Sequence, residues 1–288
     1  MTAIVERAWA KVNLALHVTG RRDDGFHELE SLVAFTEFGD TVTASMADDD
    51  DVVVTGPTAT MLSGPGGENI VADARDALRA LTRSSTPVSI EIEKRIPVAA
   101  GLGGGSADAA GTLRALARLW RLAMDDAALC EAGLPLGADV PMCVLSRTLV
   151  ARGIGERLVP VRDAGLERFH VLLVNPTMGG GTVPTAKVFA ALAEPENPPL
   201  PERDGDTLGW LQGCRNDLTA PALTVEPAIE DVLGALDDAM LARMSGSGAT
   251  CFGLYDTAQG AATAEERIRA SRPDWFVVRT RFIGSGGE

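Results

Sequence analysis

The sequence is poor in the residues that build covalent or metal-bound scaffolds. Of 288 residues, 4 are cysteine and 3 are histidine. The cysteines stand at 130, 143, 214 and 251, and no two have C-x-x-C spacing. Neither a zinc site nor a dithiol redox centre is therefore expected. His17, His27 and His170 form no H-E-x-x-H pattern, so no protein-built metal site is expected. So few thiols in a chain this long suit a reduced, cytoplasmic protein. There is no run of about 18 apolar residues, which argues against a transmembrane helix. Residues 1–7 lack the apolar stretch of a signal peptide. Basic charge is also scarce: 26 Lys and Arg against 40 Asp and Glu leave a net charge of −14. That surplus repels nucleic-acid backbones and anionic membranes. The expected partner is a small molecule, with no nucleic acid and no membrane, and the expected state is a monomer or weak homodimer.

What the chain does have is core material. It is 45% hydrophobic and 23% charged, as soluble globular proteins are. Its length suits two domains, at roughly 150 residues each. Val12, Leu14 and Leu16 alternate with Asn13, Ala15 and His17, which predicts a strand over 7–18. Short strands are expected at 32–38 and 40–45, and a solvated turn at Asp48–Asp51. Ile70, Ala74, Ala77, Leu78 and Leu81 share a helical face. Val88, Ile90 and Ile92 mark another strand, and 109–120 and 229–240 read as helices. The Pro- and acid-rich stretch around 190–207 reads as a loop. Strands and helices mix without strict alternation, which favours an α+β fold over a doubly wound sheet.

The most informative stretch is Pro97-Val98-Ala99-Ala100-Gly101-Leu102-Gly103-Gly104-Gly105-Ser106-Ala107-Asp108, between a predicted strand and a predicted helix. Glycines let backbone N–H groups turn toward a ligand, and a helix start adds free donors and partial positive charge. Together they suit phosphate. No Gly-Lys follows, so this is not a Walker A loop. Ser106 stands where a dinucleotide fingerprint has its third glycine.

With its neighbours, the loop resembles the phosphate loop of the GHMP kinases. The resemblance extends through Ala10-Lys11-Val12-Asn13-Leu14, Gly20–Leu29 with Asp24-Gly25-Phe26-His27, Gly137-Ala138-Asp139-Val140-Pro141, Arg152–Glu156, Asn216-Asp217-Leu218 and Met244–Phe252. These landmarks follow the family's order over most of the chain. The resemblance implies two α+β domains with the active site in the cleft between them. Residues 1–150 would form an N-terminal ATP-binding domain. Residues 151–288 would form a C-terminal substrate-binding domain, whose last strand could return to the first. It also implies transfer of phosphate from ATP, with Mg²⁺, to a hydroxyl of a small alcohol. The opening, Asp24–His27 and Ala138–Pro141 segments favour a member whose acceptor carries a cytidine diphosphate and feeds isoprenoid synthesis. Homoserine or mevalonate kinases, a decarboxylase on the same scaffold and a non-catalytic binding protein are the alternatives.

Carried over by resemblance, Lys11 and Asp139 are the catalytic pair. Lys94, Pro97, Val98, Ala99, Ala100, Gly101, Leu102, Gly103, Gly104, Gly105, Ser106 and Ala107 are the ATP-binding residues. Asn13, Phe26, His27, Thr185 and Phe189 are the substrate-binding residues, and no side-chain metal ligand is assigned. Three departures stand out. Phe26 replaces the usual Tyr, Ala99-Ala100 replace glycines, and Gly179-Gly180-Gly181 lengthen the segment after Asn175-Pro176.

Overall fold

The computed structural model describes residues 3–62, 69–84, 86–162, 164–176, 183–203 and 205–284. The glycines at 179–181 lie outside the described residues. In chain order the strands are β1 (Ile4–Arg21), β2 (His27–Met46), β3 (Asp51–Thr55), β4 (Val88–Glu93), β5 (Leu149–Gly153), β6 (Arg157–Pro160), β7 (His170–Asn175), β8 (Leu241–Met244), β9 (Cys251–Tyr255) and β10 (Phe276–Arg281). The helices are α1 (Asn69–Thr82), α2 (Gly104–Leu119), α3 (Asp126–Gly133), α4 (Val140–Leu145), α5 (Thr185–Ala190), α6 (Thr207–Gly213), α7 (Thr219–Val225), α8 (Ala228–Ala235) and α9 (Ala258–Ser271). This is the mixed α+β content expected.

The chain forms two compact units. The first takes residues up to Lys11, Phe38–Val98 and Gly103–Ser146; the second takes Val12–Glu37, Ala99–Leu102 and the chain from Arg147 onward. The last crossing, at Ser146 and Arg147, falls close to residue 150. The earlier crossings, within β1, within β2 and on either side of Ala99–Leu102, have no counterpart in the sequence reading.

In the first unit the later half of β2 pairs antiparallel with β4, and β3 pairs parallel with β4. Val42↔Ile92 and Ala44↔Ile90 are in register, with all four side chains buried. Helix α2 is buried through most of its length, including the expected stripe Ala109, Ala110, Leu113, Leu116 and Ala117. In the second unit β5 joins the early half of β2 and β6 joins β5. A separate antiparallel sheet runs β10-β7-β9-β8. Its core gathers Leu172, Val174 and Val277 with Ile229 and Val232 from α8, Ala264 and Ile268 from α9, and Leu16 and Val18 from β1.

Two expectations are corrected. The short strands expected at 32–38 and 40–45 are one strand, β2, running through Gly39. A side chain at Gly39 would place its Cβ 2.4 Å from the Ala8 carbonyl oxygen, so the glycine permits close backbone approach and does not mark a turn. The helix expected over 229–240 stops at Ala235. Asp237 and Asp238 follow, where negative charge opposes the helix dipole, and Asp238 instead accepts from Tyr255 Oη at 2.9 Å. The acidic run is the solvated turn expected, with its four aspartates exposed, and one of them also makes fixed contacts. Asp50 receives two hydrogen bonds from Arg79, at 2.5 and 2.8 Å, and one from the Val88 N–H at 3.0 Å.

Candidate active site

In the first unit, β1 ends its share of the chain at Lys11, whose side chain is buried along its stem. Its Nζ donates to Asp139 Oδ2 at 2.8 Å. Asp139 immediately precedes α4, and its side chain is 38% exposed, so the carboxylate is open to solvent on one side. The start of α2 lies on the same lysine. A Cβ added to Gly103 would be 3.3 Å from both Cβ and Cε of Lys11. Gly103 is the N-cap of α2 at φ 67°, with no capping side chain. Among the described residues the first N–H groups of α2 are thus left without a side-chain acceptor, the arrangement that binds an anion. Among the described residues a Cβ on Gly105 would meet nothing within 4 Å, so they leave this helix start open.

Lys94, expected beside the nucleotide, is one of the most buried charged residues at 3% exposure. Its Nζ donates to Asp40 Oδ2 at 2.5 Å and to Asp108 Oδ2 at 2.6 Å. Burial pulls the ammonium pKa down, but Asp108 and Asp40 outweigh it and hold the pKa above its ordinary value. A Cβ on Gly104 would lie 3.5 Å from this Nζ.

In the second unit, the middle of the loop is tied to the turn after β8. Ser245 Oγ donates to the Gly101 carbonyl at 2.9 Å, and the Thr250 N–H donates to the Ala100 carbonyl at 3.1 Å. The contact is tight: a Cβ at Gly101, φ 77°, would sit 2.5 Å from the Ser245 oxygen. Ala99, at φ 51°, holds a left-handed conformation that costs a residue with a Cβ on the order of 1 kcal/mol. Asn13 donates its N–H to Ser245 Oγ at 3.0 Å and its Nδ2 to Ser31 Oγ at 2.8 Å. Its Oδ1 is buried with no partner among the described residues. Asn216 Nδ2 bonds the Met244 and Gly246 carbonyls at 2.8 Å each and braces the same turn.

His27 stacks on Phe189, with ring centroids 5.0 Å apart and planes at 25°. Burial, then the nearby Arg21 charge, lowers the His27 pKa, so the ring is neutral at pH 7. Phe26, next in the chain, is 59% exposed on the turn that Asp24 closes by accepting from its N–H at 3.1 Å. Thr185 Oγ1 and Ser247 Oγ are 2.8 Å apart.

The sequence reading missed the residues that hold others in place. Asp40 and Asp108 pair Lys94, and Ser31 fixes the Asn13 amide. Asp40 and Ser31 stand in no motif, and Asp108 ends the glycine-rich stretch without announcing its pairing; each role is found only through strand register and helix packing. His17 turned out to be structural. Its Nε2 accepts from the Arg215 N–H and its Nδ1 donates to the Pro198 carbonyl, both at 3.1 Å. Among the described residues no group of three His, Cys, Asp or Glu side chains is placed to hold a metal ion, and no helix is long and apolar enough to cross a membrane.

Two family models match the chain: the GHMP kinases N terminal domain over residues 69–147 and the GHMP kinases C terminal domain over 198–274. The 4-diphosphocytidyl-2-C-methyl-D-erythritol kinase of Mesorhizobium japonicum is 50% identical over 299 residues, spanning 100% of this chain and 99% of its own. The protein of the same name from Rhizobium meliloti is 50% identical over 99% of this chain and 97% of its own. Among solved structures, a 4-(cytidine 5'-diphospho)-2C-methyl-D-erythritol kinase superposes with TM-score 0.79 at 34% identity, over 99% of this chain and 100% of its own. Homoserine kinase from Cytophaga hutchinsonii shares the fold, with TM-score 0.68 at 18% identity over 99% of this chain and 96% of its own. A likeness this extended at both sequence and fold level leads to one conclusion: the chain belongs to the GHMP kinase family, among the 4-diphosphocytidyl-2-C-methyl-D-erythritol kinases.

Proposed function

We propose that this chain transfers the γ-phosphoryl group of ATP to the 2-hydroxyl of 4-diphosphocytidyl-2-C-methyl-D-erythritol, a step toward isoprenoid precursors. The observation that carries the reading is the 2.8 Å contact of Lys11 Nζ with Asp139 beside the uncapped start of α2. Phosphoryl transfer asks a protein chiefly for positioning and charge stabilisation, and this group offers both. The N–H groups of Gly103–Ser106 donate to phosphate oxygens, with Pro97–Leu102 and Ala107 completing the ATP loop. Asp139 orients the attacking hydroxyl and takes its proton. Lys11 fixes the carboxylate and places a positive charge where the transferring group gathers negative charge. A new P–O bond forms at the acceptor oxygen, the γ-phosphate bond to ADP breaks, and the proton leaves through Asp139.

Mg²⁺ would sit on the phosphate oxygens and neutralise charge that develops there. The open space at Gly105 and the hydroxyl of Ser106 fit a metal brought in with the triphosphate. For the acceptor, Phe26 and the stacked His27–Phe189 pair offer flat faces for the cytosine ring. The unpartnered Asn13 Oδ1 and the Thr185 hydroxyl offer polar contacts to the methylerythritol. The enzyme would act in the cytoplasm, as a monomer or weak homodimer, without nucleic acid or membrane.

The test is ADP release from Mg-ATP with the diphosphocytidyl acceptor, homoserine, mevalonate and mevalonate diphosphate offered separately, and Asp139→Asn as control. Turnover confined to the first acceptor and lost in the variant is expected. Turnover with another acceptor would overturn the substrate and leave the ATP loop.

A further inference from the structure

The buried cluster around Lys94 is larger than nucleotide binding by a lone lysine requires. Three charged side chains, Asp40, Lys94 and Asp108, are 0%, 3% and 4% exposed. They come from three elements: β2, the residue after β4, and the second turn of α2. Asp40 does two tasks. Its Oδ2 takes the ammonium, while its Oδ1 accepts the N–H groups of Arg95 at 2.5 Å and Ile96 at 2.8 Å. Those two residues directly precede Pro97, where the loop begins. Asp108 takes the same ammonium from the helix that the loop feeds. The lysine backbone is held as closely. Its N–H donates to the Thr55 carbonyl at 2.7 Å, and a Cβ on Gly56 would sit 2.4 Å from its carbonyl oxygen. The ammonium therefore joins the entry of the loop to its exit. Its two partners among the described residues are both carboxylates of this chain, at 2.5 and 2.6 Å.

A net negative buried cluster beneath a phosphate site is costly unless it binds a proton. Burial raises the Asp108 carboxyl pKa, against the pull of Lys94 and with the push of Asp40. Its Oδ1 has no partner among the described residues.

We propose that Asp40, Lys94 and Asp108 form a positioning cluster that fixes both ends of the phosphate loop, so that Lys94 serves nucleotide binding through the loop and not by touching the nucleotide. The proposal rests on the reading of that loop as the ATP site. An uncharged Asn at 108 keeps the size and an acceptor for the ammonium. Leu at 108 keeps the volume and lets go of the ammonium.

The experiment measures Mg-ADP affinity by calorimetry, which needs no acceptor, together with KM for ATP, KM for the acceptor and Tm. The variants are Asp40→Asn, Asp108→Leu, Asp108→Asn and Lys94→Met. Asp40→Asn and Asp108→Leu should each weaken Mg-ADP by about tenfold or more. KM for the acceptor should stay within twofold, and Asp108→Asn should restore nucleotide affinity to within about twofold of wild type. A fall in Tm with unchanged Mg-ADP affinity in Asp40→Asn and Asp108→Leu would overturn the proposal. So would a loss confined to Lys94→Met, which would make Lys94 a direct nucleotide contact. Should Lys94→Met fail to fold, the aspartate variants decide alone. Wild-type protein that binds Mg-ADP but leaves the diphosphocytidyl acceptor untouched defeats the substrate reading and leaves the cluster standing. Wild-type protein that binds no Mg-ADP defeats both.

Discussion

An ammonium held 2.8 Å from a half-open carboxylate has a limited set of uses. Lys11 is buried and Asp139 is partly exposed, so the pair presents one oxygen outward while the lysine fixes the other. Asp139→Asn keeps the shape and removes the base. Its kcat should fall by about 10²–10⁴-fold while KM for ATP stays within a few-fold, as steady-state kinetics would read. Lys11→Met should also lower kcat, and a normal kcat in either variant would remove that residue from the chemistry. Phe26 is a different case. With 59% of its surface exposed it adds little to the core. Phe26→Ala should leave Tm unchanged and raise KM for the diphosphocytidyl acceptor about tenfold, in line with the loss of one base-stacking face. An equal rise for ATP would speak against a role in reading the cytosine.

At the scale of elements, the loop and helix α2 would do the work that a lysine-bearing phosphate loop does elsewhere. Gly103 is the hinge between them. It takes φ 67° and leaves only 3.3 Å between an added Cβ and Lys11. Gly103→Ala combines backbone strain with pressure on Lys11. It should lower kcat and nucleotide affinity together, by at least about tenfold, and calorimetry with Mg-ADP beside kinetics checks this. Elements with clear periodicity were legible in the sequence. Asn69–Thr82 and Val88–Glu93 form where the periodicity places them, although of the expected α1 face only Ala74 and Leu78 are fully buried, joined by Val71, while Leu81 is 61% exposed. Strand β2 was not legible, because a glycine that admits a neighbouring backbone looks the same in sequence as one that turns the chain. Residues 11–17 of β1 are buried on both faces, so their alternation marks the strand but not which side is core. Lys11 and Asp139, 128 residues apart, were paired by family likeness and not by any local signal. The pairing of Asp40, Lys94 and Asp108 has no sequence mark, since only the fold brings them together, although Asp108 ends the glycine-rich stretch and Lys94 was singled out by resemblance.

For the whole molecule, lowered pKa values at His17, His27 and several aspartates shape the acid limb of stability. His17 is fully buried, and burial first, then the Arg215 charge, lowers its pKa from 6.5. The unfolded chain therefore binds this proton more readily. The stabilisation is complete above 6.5 and is lost as pH falls toward the folded value. Asp50 is held down to about 2, chiefly by the Arg79 hydrogen bonds, from an ordinary 3.8. Its contribution is present above 3.8 and is lost as pH falls toward about 2. Tm should therefore decline on going from pH 7 to 5 and decline again below pH 4. Asp50→Asn should flatten the second decline and leave the first, and an unchanged second slope would remove Asp50 as its cause. A fragment of residues 151–288 lacks Leu16 and Val18, which belong to the core of the second unit. Circular dichroism on that fragment should show no cooperative melting, while the full chain melts in one or two sharp steps.

The route of the chain has one more consequence, and it concerns inheritance. It passes between the two units at Lys11–Val12, Glu37–Phe38, Val98–Ala99, Leu102–Gly103 and Ser146–Arg147. No single crossover between two related genes exchanges one unit intact, because any breakpoint divides the residues of at least one of them. The segments proposed to hold the nucleotide and the acceptor are therefore inherited as one block. New acceptor preferences must arise by point changes within that block, at positions such as Phe26 and Phe189, and not by shuffling ready-made halves.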